Sequence, residues 1–333
     1  MAERRVRVAV DAMGGDHAPR ELVAGAARAA REAPHLDVLL VGRGPEIEAH
    51  LAAAGGAPAR VSVVHAEEVV AMADRPVATV RTRPDSSIVR ALALVRDGEA
   101  DAVVAAGSTG AVVAACHMVL PPLPGVHRPA IAVPLPARNE RGVCLLVDAG
   151  AHVDARPRNL LEFAWMGSNV YRTTYGVAAP RVALLSVGEE EGKGNLVTRE
   201  AARLLRASPL RFVGNVEGRD LFGGACHVVA ADGFVGNIVL KSTEACAEML
   251  FGLVQEALGP GHPEAVGALA RRMDYAELGG APLLGVAGVV LVCHGRSGAR
   301  AIANAVLSAA RLVGDGGHAS IASGLADRAA PAP

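Results

Sequence analysis

Short apolar runs alternate with longer amphipathic stretches along this chain. Val6–Val10, Asp37–Val41, Val61–Val64, Ala102–Ala106, Ala130–Pro134, Val143–Val147, Val182–Val187, His227–Ala231 and Val289–Val292 are rich in Val, Leu and Ala and read as strands. Several are continuously apolar rather than alternating, the pattern of a sheet covered on both faces. Between them, helical spacing predicts helices over Arg20–Arg31, Ser87–Asp97, Ala111–Val119, Asn159–Tyr175, Leu196–Arg206, Asn237–Leu258 and Ala299–Val313. The alternation predicts a three-layer α/β/α fold with a mainly parallel sheet. Such sheets bind ligands beyond the carboxyl ends of their strands. There this sequence gathers Gly, Asp, Ser and Asn.

The expected organisation is a single α/β catalytic domain over residues 1–313, with two lobes meeting near Pro121, Pro122 and Pro124. Residues 314–333 are rich in Gly, Ala and Pro and read as a poorly ordered tail. Residues 243–275 read as two short helices around Gly259–Pro263, expected to be buried; the alternative is a protruding amphipathic contact with a membrane or partner.

Composition narrows the function. Across 333 residues, 33 basic side chains meet 34 acidic ones, which argues against a general nucleic-acid binder. No apolar run approaches the roughly 18–20 residues of a membrane span, and the first residues lack a signal-peptide core, so a cytoplasmic location is expected. Cys116, Cys144, Cys226, Cys246 and Cys293 are scattered through apolar runs and read as buried free thiols. No cluster has metal-ligand spacing. Of the 33 basic residues only Lys193 and Lys241 are lysine. A lysine kept in so arginine-rich a chain points to a demand for a compact charge, since the two side chains are not interchangeable at a site.

The strand ends carry the candidate chemistry. Asp11-Ala-Met-Gly14-Gly15-Asp16 follows the first strand, and its glycines permit close backbone approach to a ligand. Gly107-Ser108-Thr109-Gly110 opens a helix, either as an anion cradle or as a simple N-cap. Gly188-Glu-Glu-Glu-Gly192-Lys193-Gly194-Asn195 fails as a P-loop: the glycine spacing is one short and no Ser or Thr follows the lysine. Its carboxylates are expected to hold arginines or the lysine. Asp232-Gly233-Phe-Val-Gly236-Asn237 and His294-Gly295-Arg296-Ser297 complete the set, with His294 a site group. Cys293 and His294 point to opposite faces by strand alternation and make a poor nucleophilic dyad. Gly42-Arg43-Gly44 starts a dinucleotide fingerprint, but Ile47 stands where its third glycine belongs.

Ten stretches in series resemble the bacterial phosphate acyltransferase family. They are Asp11–Pro19, Pro84–Ser87, Ala106–Ala111, Asp148–Pro157, Phe163–Ser168, Gly188–Asn195, Asn215–Leu221, Ala231–Lys241, Gly279–Gly285 and His294–Ile302. Family members usually carry Asn where this chain has Ser108 and His152, and their projecting helical pair is longer around Gly259–Pro263. The resemblance implies transfer of a fatty acyl group from acyl-carrier protein to inorganic phosphate, giving acyl phosphate for phospholipid synthesis. It implies a fold akin to the isocitrate/isopropylmalate dehydrogenase-like proteins, a homodimer, and no cofactor or metal. A membrane-bound glycerol-3-phosphate acyltransferase would take the product, with peripheral membrane contact as a further implication and no nucleic-acid partner.

Phosphate is itself an anionic nucleophile, so the site needs to position it and stabilise an oxyanion. The expected catalytic set is Lys193 on phosphate and oxyanion, Asn237 donating to an oxygen, Asp232 orienting its loop, and His294 protonating the leaving thiolate or orienting phosphate. Asp11, Gly14, Gly15, Ser86, Ser87, Gly107, Ser108 and Thr109 are expected to bind phosphate or substrate. The Thr243–Leu258 helix and Leu283–Leu284 are expected to line a groove for the acyl chain. Two rival readings stay open at this stage. One is a different enzyme on a similar fold, a phosphotransacetylase-like acyltransferase using acyl-CoA or a dehydrogenase. The other is a non-catalytic acyl-carrier or lipid-binding regulator.

Overall fold

A computed structural model describes residues 5–258 and 279–314 of the chain. The second helix expected after Gly259 and the tail beyond Gly314 lie outside the described residues. The chain divides into two compact units, Met1–Pro129 with Leu278–Pro333, and Ala130–Glu277.

The first unit is built on strands β1 (Val6–Asp11), β2 (Leu36–Gly42), β3 (Val61–His65) and β4 (Ala102–Ala105). Within this unit the strand order β3-β2-β1-β4 is continued by β11 (Val289–Val292) and β10 (Ala281–Leu284). All pair in parallel except β10, which runs antiparallel to β11. Helices α1 (Arg20–Glu32), α2 (Gly44–Ala53), α3 (Pro76–Thr82), α4 (Ser87–Arg96), α5 (Thr109–Val119) and α10 (Ala299–Gly314) belong here.

Strand alternation makes the layers. Val8, Val10, Val38, Leu40, Val104 and Leu291 share one core with Leu22, Val23 and Ala26 of α1 and Ile302 and Val306 of α10. The residues between them, Ala9, Val41, Val103 and Ala105, point the other way and are equally buried. Helix α4 packs on that face, through β1, β2 and β4. Each Val, Leu or Ile among them removed from water contributes about 1.5–3 kcal/mol, so a sheet apolar on both faces holds a helical layer on each.

The second unit orders its strands β5-β6-β9-β7-β8: β5 (Ala130–Pro136), β6 (Val143–Val147), β7 (Val182–Leu185), β8 (Phe212–Val216) and β9 (Val228–Ala230). Strands β6, β9, β7 and β8 are parallel, and β5 pairs antiparallel with β6. Helix α6 (Pro157–Tyr175) lies against β6, β7 and β9, with α7 (Leu196–Arg206) beside it. The short α8 (Asp220–Gly223) and the long α9 (Gly233–Leu258) complete the unit.

Three expectations need correction here. The helix after Asp232 is not buried: beyond its first turn α9 exposes Ile238, Met249, Leu250 and Leu253, and only Gly233, Gly236 and Ala247 are fully covered. Cys246 rides on that helix and is exposed, while the other four thiols are buried. Leu283 and Leu284 are packed inside the first unit at 3% and 4% exposure, so they are not open to line an acyl groove.

Candidate functional site

In each unit the parallel strands deliver their polar loops to one edge. In the first, the loops after β1, β4 and β11 are neighbours because those strands are neighbours. Gly14 lies so close to the next loop that a Cβ there would sit 2.6 Å from Asp11 Oδ2 and 2.9 Å from the Gly107 amide nitrogen. Gly15 (φ +108°) lies against the carbonyls of Ala106 and Gly295, and the Asp16 amide donates to Gly295 O at 2.7 Å. His294 stands immediately before that carbonyl, half-buried. Helix α5 starts at Thr109, two residues earlier than its apolar pattern indicates, with Ser108 as N-cap. The Ser108 side chain makes no capping bond, so the simple-cap reading does not account for it. Of the first-turn amides of α5, Ala111 N and Val112 N donate to Ser108 O at 2.9 and 3.0 Å, while those of Thr109 and Gly110 precede the helical ladder and carry the positive end of the helix dipole, beside a wall of glycine backbone.

Asp11 underlies this edge at 3% exposure. Burial pushes its carboxyl up to about 6, against the lowering effect of the Ser87 hydroxyl and the Met13 and Gly14 amides. Ser87 opens α4 and brings that helix to the Asp11 loop. Ser86, its N-cap, is fully buried and its hydroxyl has no hydrogen-bond partner. Asp11, Gly14, Gly15, Ser87 and Gly107 are therefore assembled in one place, with Ser108 and Thr109 at the adjoining helix start.

In the second unit the loops after β6, β9, β7 and β8 follow one another along the sheet edge. Asp148 closes β6 with no exposure, and its oxygens accept from the amides of Ile131, Gly150, Ala151 and His152 at 2.9–3.1 Å. Burial raises its carboxyl above the usual range, opposed by those four donors. Asp232 is similarly committed. One oxygen accepts from Phe234 N at 2.9 Å, capping α9, and the other from Ala155 N at 2.9 Å. Both oxygens thus anchor the loop, the orienting part expected of it. Asn237 lies within α9 rather than at its start, because the helix begins at Gly233, and its carboxamide lies beside Gly150.

Lys193 follows β7 and is exposed. Its methylenes lie against Gly188, and its backbone amide closes a turn onto Glu190 O at 3.2 Å. Gly194 follows at φ +97°, where a Cβ would meet Thr198 at 2.9 Å and Ser186 Oγ at 3.0 Å. Asn195 then caps α7, accepting from Thr198 N at 2.8 Å. Two of the three carboxylates hold arginines: Glu189 pairs with Arg219 at 3.3 Å and Glu191 with Arg206 at 3.0 Å. Sequence reasoning left Asp148 and Asn215 unassigned; each stands in a recognisable motif, but Asp148 spends its oxygens on backbone amides, three of them in the loop that follows it, and Asn215 reaches the Glu190 carbonyl on another loop. Among the described residues no group of three or more His, Cys, Asp or Glu side chains is placed to hold a metal ion, and no helix is long and apolar enough to cross a membrane.

Solved structures similar to this chain fix its fold. A phosphotransacetylase from Streptococcus pyogenes matches with TM-score 0.63 at 18% identity, covering 92% of this chain and 94% of that one. A branched-chain phosphotransacylase from Enterococcus faecalis V583 matches with TM-score 0.58 at 15% identity, covering 92% and 99%. The fold is therefore phosphotransacetylase-like, and the expected likeness to isocitrate/isopropylmalate dehydrogenases is corrected. The loop motifs behind that expectation report site chemistry, which different folds can share, rather than chain connectivity.

Sequence relatives carry the family. The model for "Fatty acid synthesis protein" matches residues 6–319. The phosphate acyltransferase of Heliobacterium modesticaldum is 50% identical over 311 residues, covering 90% of this chain and 92% of that one. That of Myxococcus xanthus is 49% identical over 323 residues, covering 94% and 91%. With half of its residues shared along nearly its whole length, the chain belongs to the phosphate acyltransferase family.

Proposed function

We propose that the glycine-rich strand-end loops carry the groups for acyl transfer to phosphate. The chain is an acyltransferase, and its reaction moves a fatty acyl group from an acyl-carrier-protein thioester to inorganic phosphate. A phosphate oxygen forms the new bond to the carbonyl carbon. The carbon–sulfur bond breaks, and the thiolate leaves and takes up a proton. No protein nucleophile is required, because phosphate is already anionic near neutral pH.

Amides of Gly107, Ser108 and Thr109 hold phosphate at the start of α5, where the helix dipole favours an anion. The observation that carries this reading is the contact of Gly14 with Gly107: a methyl does not fit between them, so the wall there is backbone, as phosphate binding requires. Ser108 keeps a hydroxyl where family members usually have Asn. Lys193 stabilises phosphate and the tetrahedral oxyanion, Asn237 donates to an oxygen, and His294 protonates the departing thiolate. Asp11, Asp148 and Asp232 hold the loops in shape through their bonds to backbone amides.

Acyl-carrier protein is the acyl donor, and a membrane-bound glycerol-3-phosphate acyltransferase consumes the product. The functional protein is a homodimer in the cytoplasm, and the uncovered apolar side chains of α9 supply surface for a second copy. Sedimentation equilibrium at micromolar concentration tests this; a species at the chain mass of 33.9 kDa refutes the dimer. The function itself is tested by incubating purified acyl-carrier thioester, or acyl-CoA, with phosphate and no added cofactor. Acyl phosphate from the carrier thioester is expected. Product from acyl-CoA alone refutes the donor assignment, and no product from either refutes the mechanism.

A further inference from the structure

The Lys193 loop rests on an unusual floor. Register pairs Leu184 of β7 with Asn215 of β8, so Asn215 and Ser186, two residues beyond Leu184, face the same side of the sheet. Asn215 is 7% exposed. Its carboxamide N–H donates to Glu190 O at 3.2 Å, the same carbonyl that accepts the Lys193 amide at 3.2 Å. One oxygen thus ties the turn that carries Lys193 both to itself and to the neighbouring strand. Gly194 completes the seat by lying directly over Ser186, in a conformation and a space that leave no room for a side chain.

Asn215 holds this bond at a cost. Its Oδ1 and the nearby Ser186 Oγ are buried with no hydrogen-bond partner. Leaving such groups unsatisfied is unfavourable, and a leucine of similar volume would remove the penalty at residue 215 while filling the same space. A polar residue kept at a buried position against local stability marks a place where the fold serves the site.

We infer that Asn215 is a positioning residue for Lys193: it fixes the Glu190–Lys193 turn so that the ammonium meets the reacting phosphate. This rests on the catalytic reading of Lys193 given above. Asn215→Leu removes the donor and the orphan acceptor together; Asn215→Asp keeps the shape but sets a carboxyl oxygen, in place of the donor, against the Glu190 carbonyl. Both are measured for kcat and phosphate KM, alone and combined with Lys193→Ala, with urea denaturation as the folding control. Both single variants are expected to lose roughly 10–100-fold in kcat, the scale of an ångström-level misplacement. Asn215→Leu is expected to be at least as stable as wild type, and neither change should lower kcat further once Lys193 is alanine. Wild-type kcat in the two Asn215 variants, beside a crippled Lys193→Ala, overturns the inference and leaves Lys193 standing. An equal further loss in the Lys193→Ala background also overturns it, since Asn215 would then act independently of the lysine. Full kcat in Lys193→Ala overturns the reading of Lys193, and this inference with it.

Discussion

Asp11→Asn separates what the buried carboxylate does for the site from what it does to the fold. Asp11 is 3% exposed, and its folded-state pKa lies at about 6 against a model-peptide value of 3.8. The fold therefore prefers the protonated acid. The stability associated with this group is fully present below about 3.8 and is lost as pH rises through about 6. For one group with these two values, linkage gives a loss on the order of 1–2 kcal/mol near pH 5 and about 3 kcal/mol near pH 8. Asparagine is nearly isosteric, keeps an oxygen for the Met13 amide and can donate to the Ser87 hydroxyl, yet never ionises. The stability of Asp11→Asn relative to wild type should therefore grow by on the order of 1 kcal/mol between pH 5 and pH 8. Hydrogen–deuterium exchange of peptides covering β1 and β4 reads the first unit directly. Fluorescence of the single tryptophan, Trp165 on α6, follows the other unit as an internal control. A gap that stays constant or narrows with rising pH refutes the assignment of burial as the dominant influence on Asp11.

Lys193→Arg should lose at least about a hundredfold in kcat, almost as much as Lys193→Ala, because a planar guanidinium cannot follow phosphate through the tetrahedral centre; near-normal kcat in the arginine variant, with circular dichroism unchanged, refutes the site assignment. Gly14→Ala should raise phosphate KM by at least about tenfold, since its methyl would displace the Gly107 loop from Asp11; saturation kinetics that match wild type refute the backbone cradle. Replacing all five cysteines by Ala or Ser should keep turnover within about tenfold, with ~1–3 kcal/mol lost at each of the four buried positions and none at Cys246; a trapped acyl-cysteine refutes direct attack by phosphate.

The strands that escaped sequence reading are those whose signal is locally broken. In β8, Gly214 takes φ +110° and the register shifts against β7, so Phe212–Val216 shows neither alternation nor a continuous apolar run. In β10, Pro282 and the flanking glycines give Gly279–Gly285 the composition of a loop, although Ala281 and Pro282 pair with β11. By contrast β4 and β11 are uninterrupted, fully buried runs of Val, Leu and Ala, and the apolar runs of β1 and β2 are broken only by Arg7 and Asp37 before their polar or glycine ends. Helix α9 misled for the opposite reason. Met249, Leu250 and Leu253 have the composition of a core helix, and composition cannot say whether the surface that covers a residue belongs to its own unit.

The loop motifs were legible, and so was the loop-orienting part of Asp232, but the backbone partners of Asp11 and Asp148 were not. Asp11, Asp148 and Asp232 each stand at or just beyond the carboxyl end of a strand and precede glycines, a placement that reads equally well as catalysis or as a cation clamp. In the fold each accepts from backbone amides of the loop that follows: Asp11 from Met13, Asp148 from Gly150, Ala151 and His152, Asp232 from Phe234. The physical reason is common to all three. A glycine-rich loop that offers amides to an anion has few side chains to satisfy its remaining N–H groups, and a buried unpaired amide is unfavourable by about 1–3 kcal/mol. An aspartate at the strand end satisfies those donors from behind and leaves the front of the loop to the ligand. Because a carboxylate beside a bound phosphate would repel it, each acid must spend its charge on the protein backbone. That is why the acidic positions of the motifs are spent on shaping their own loops.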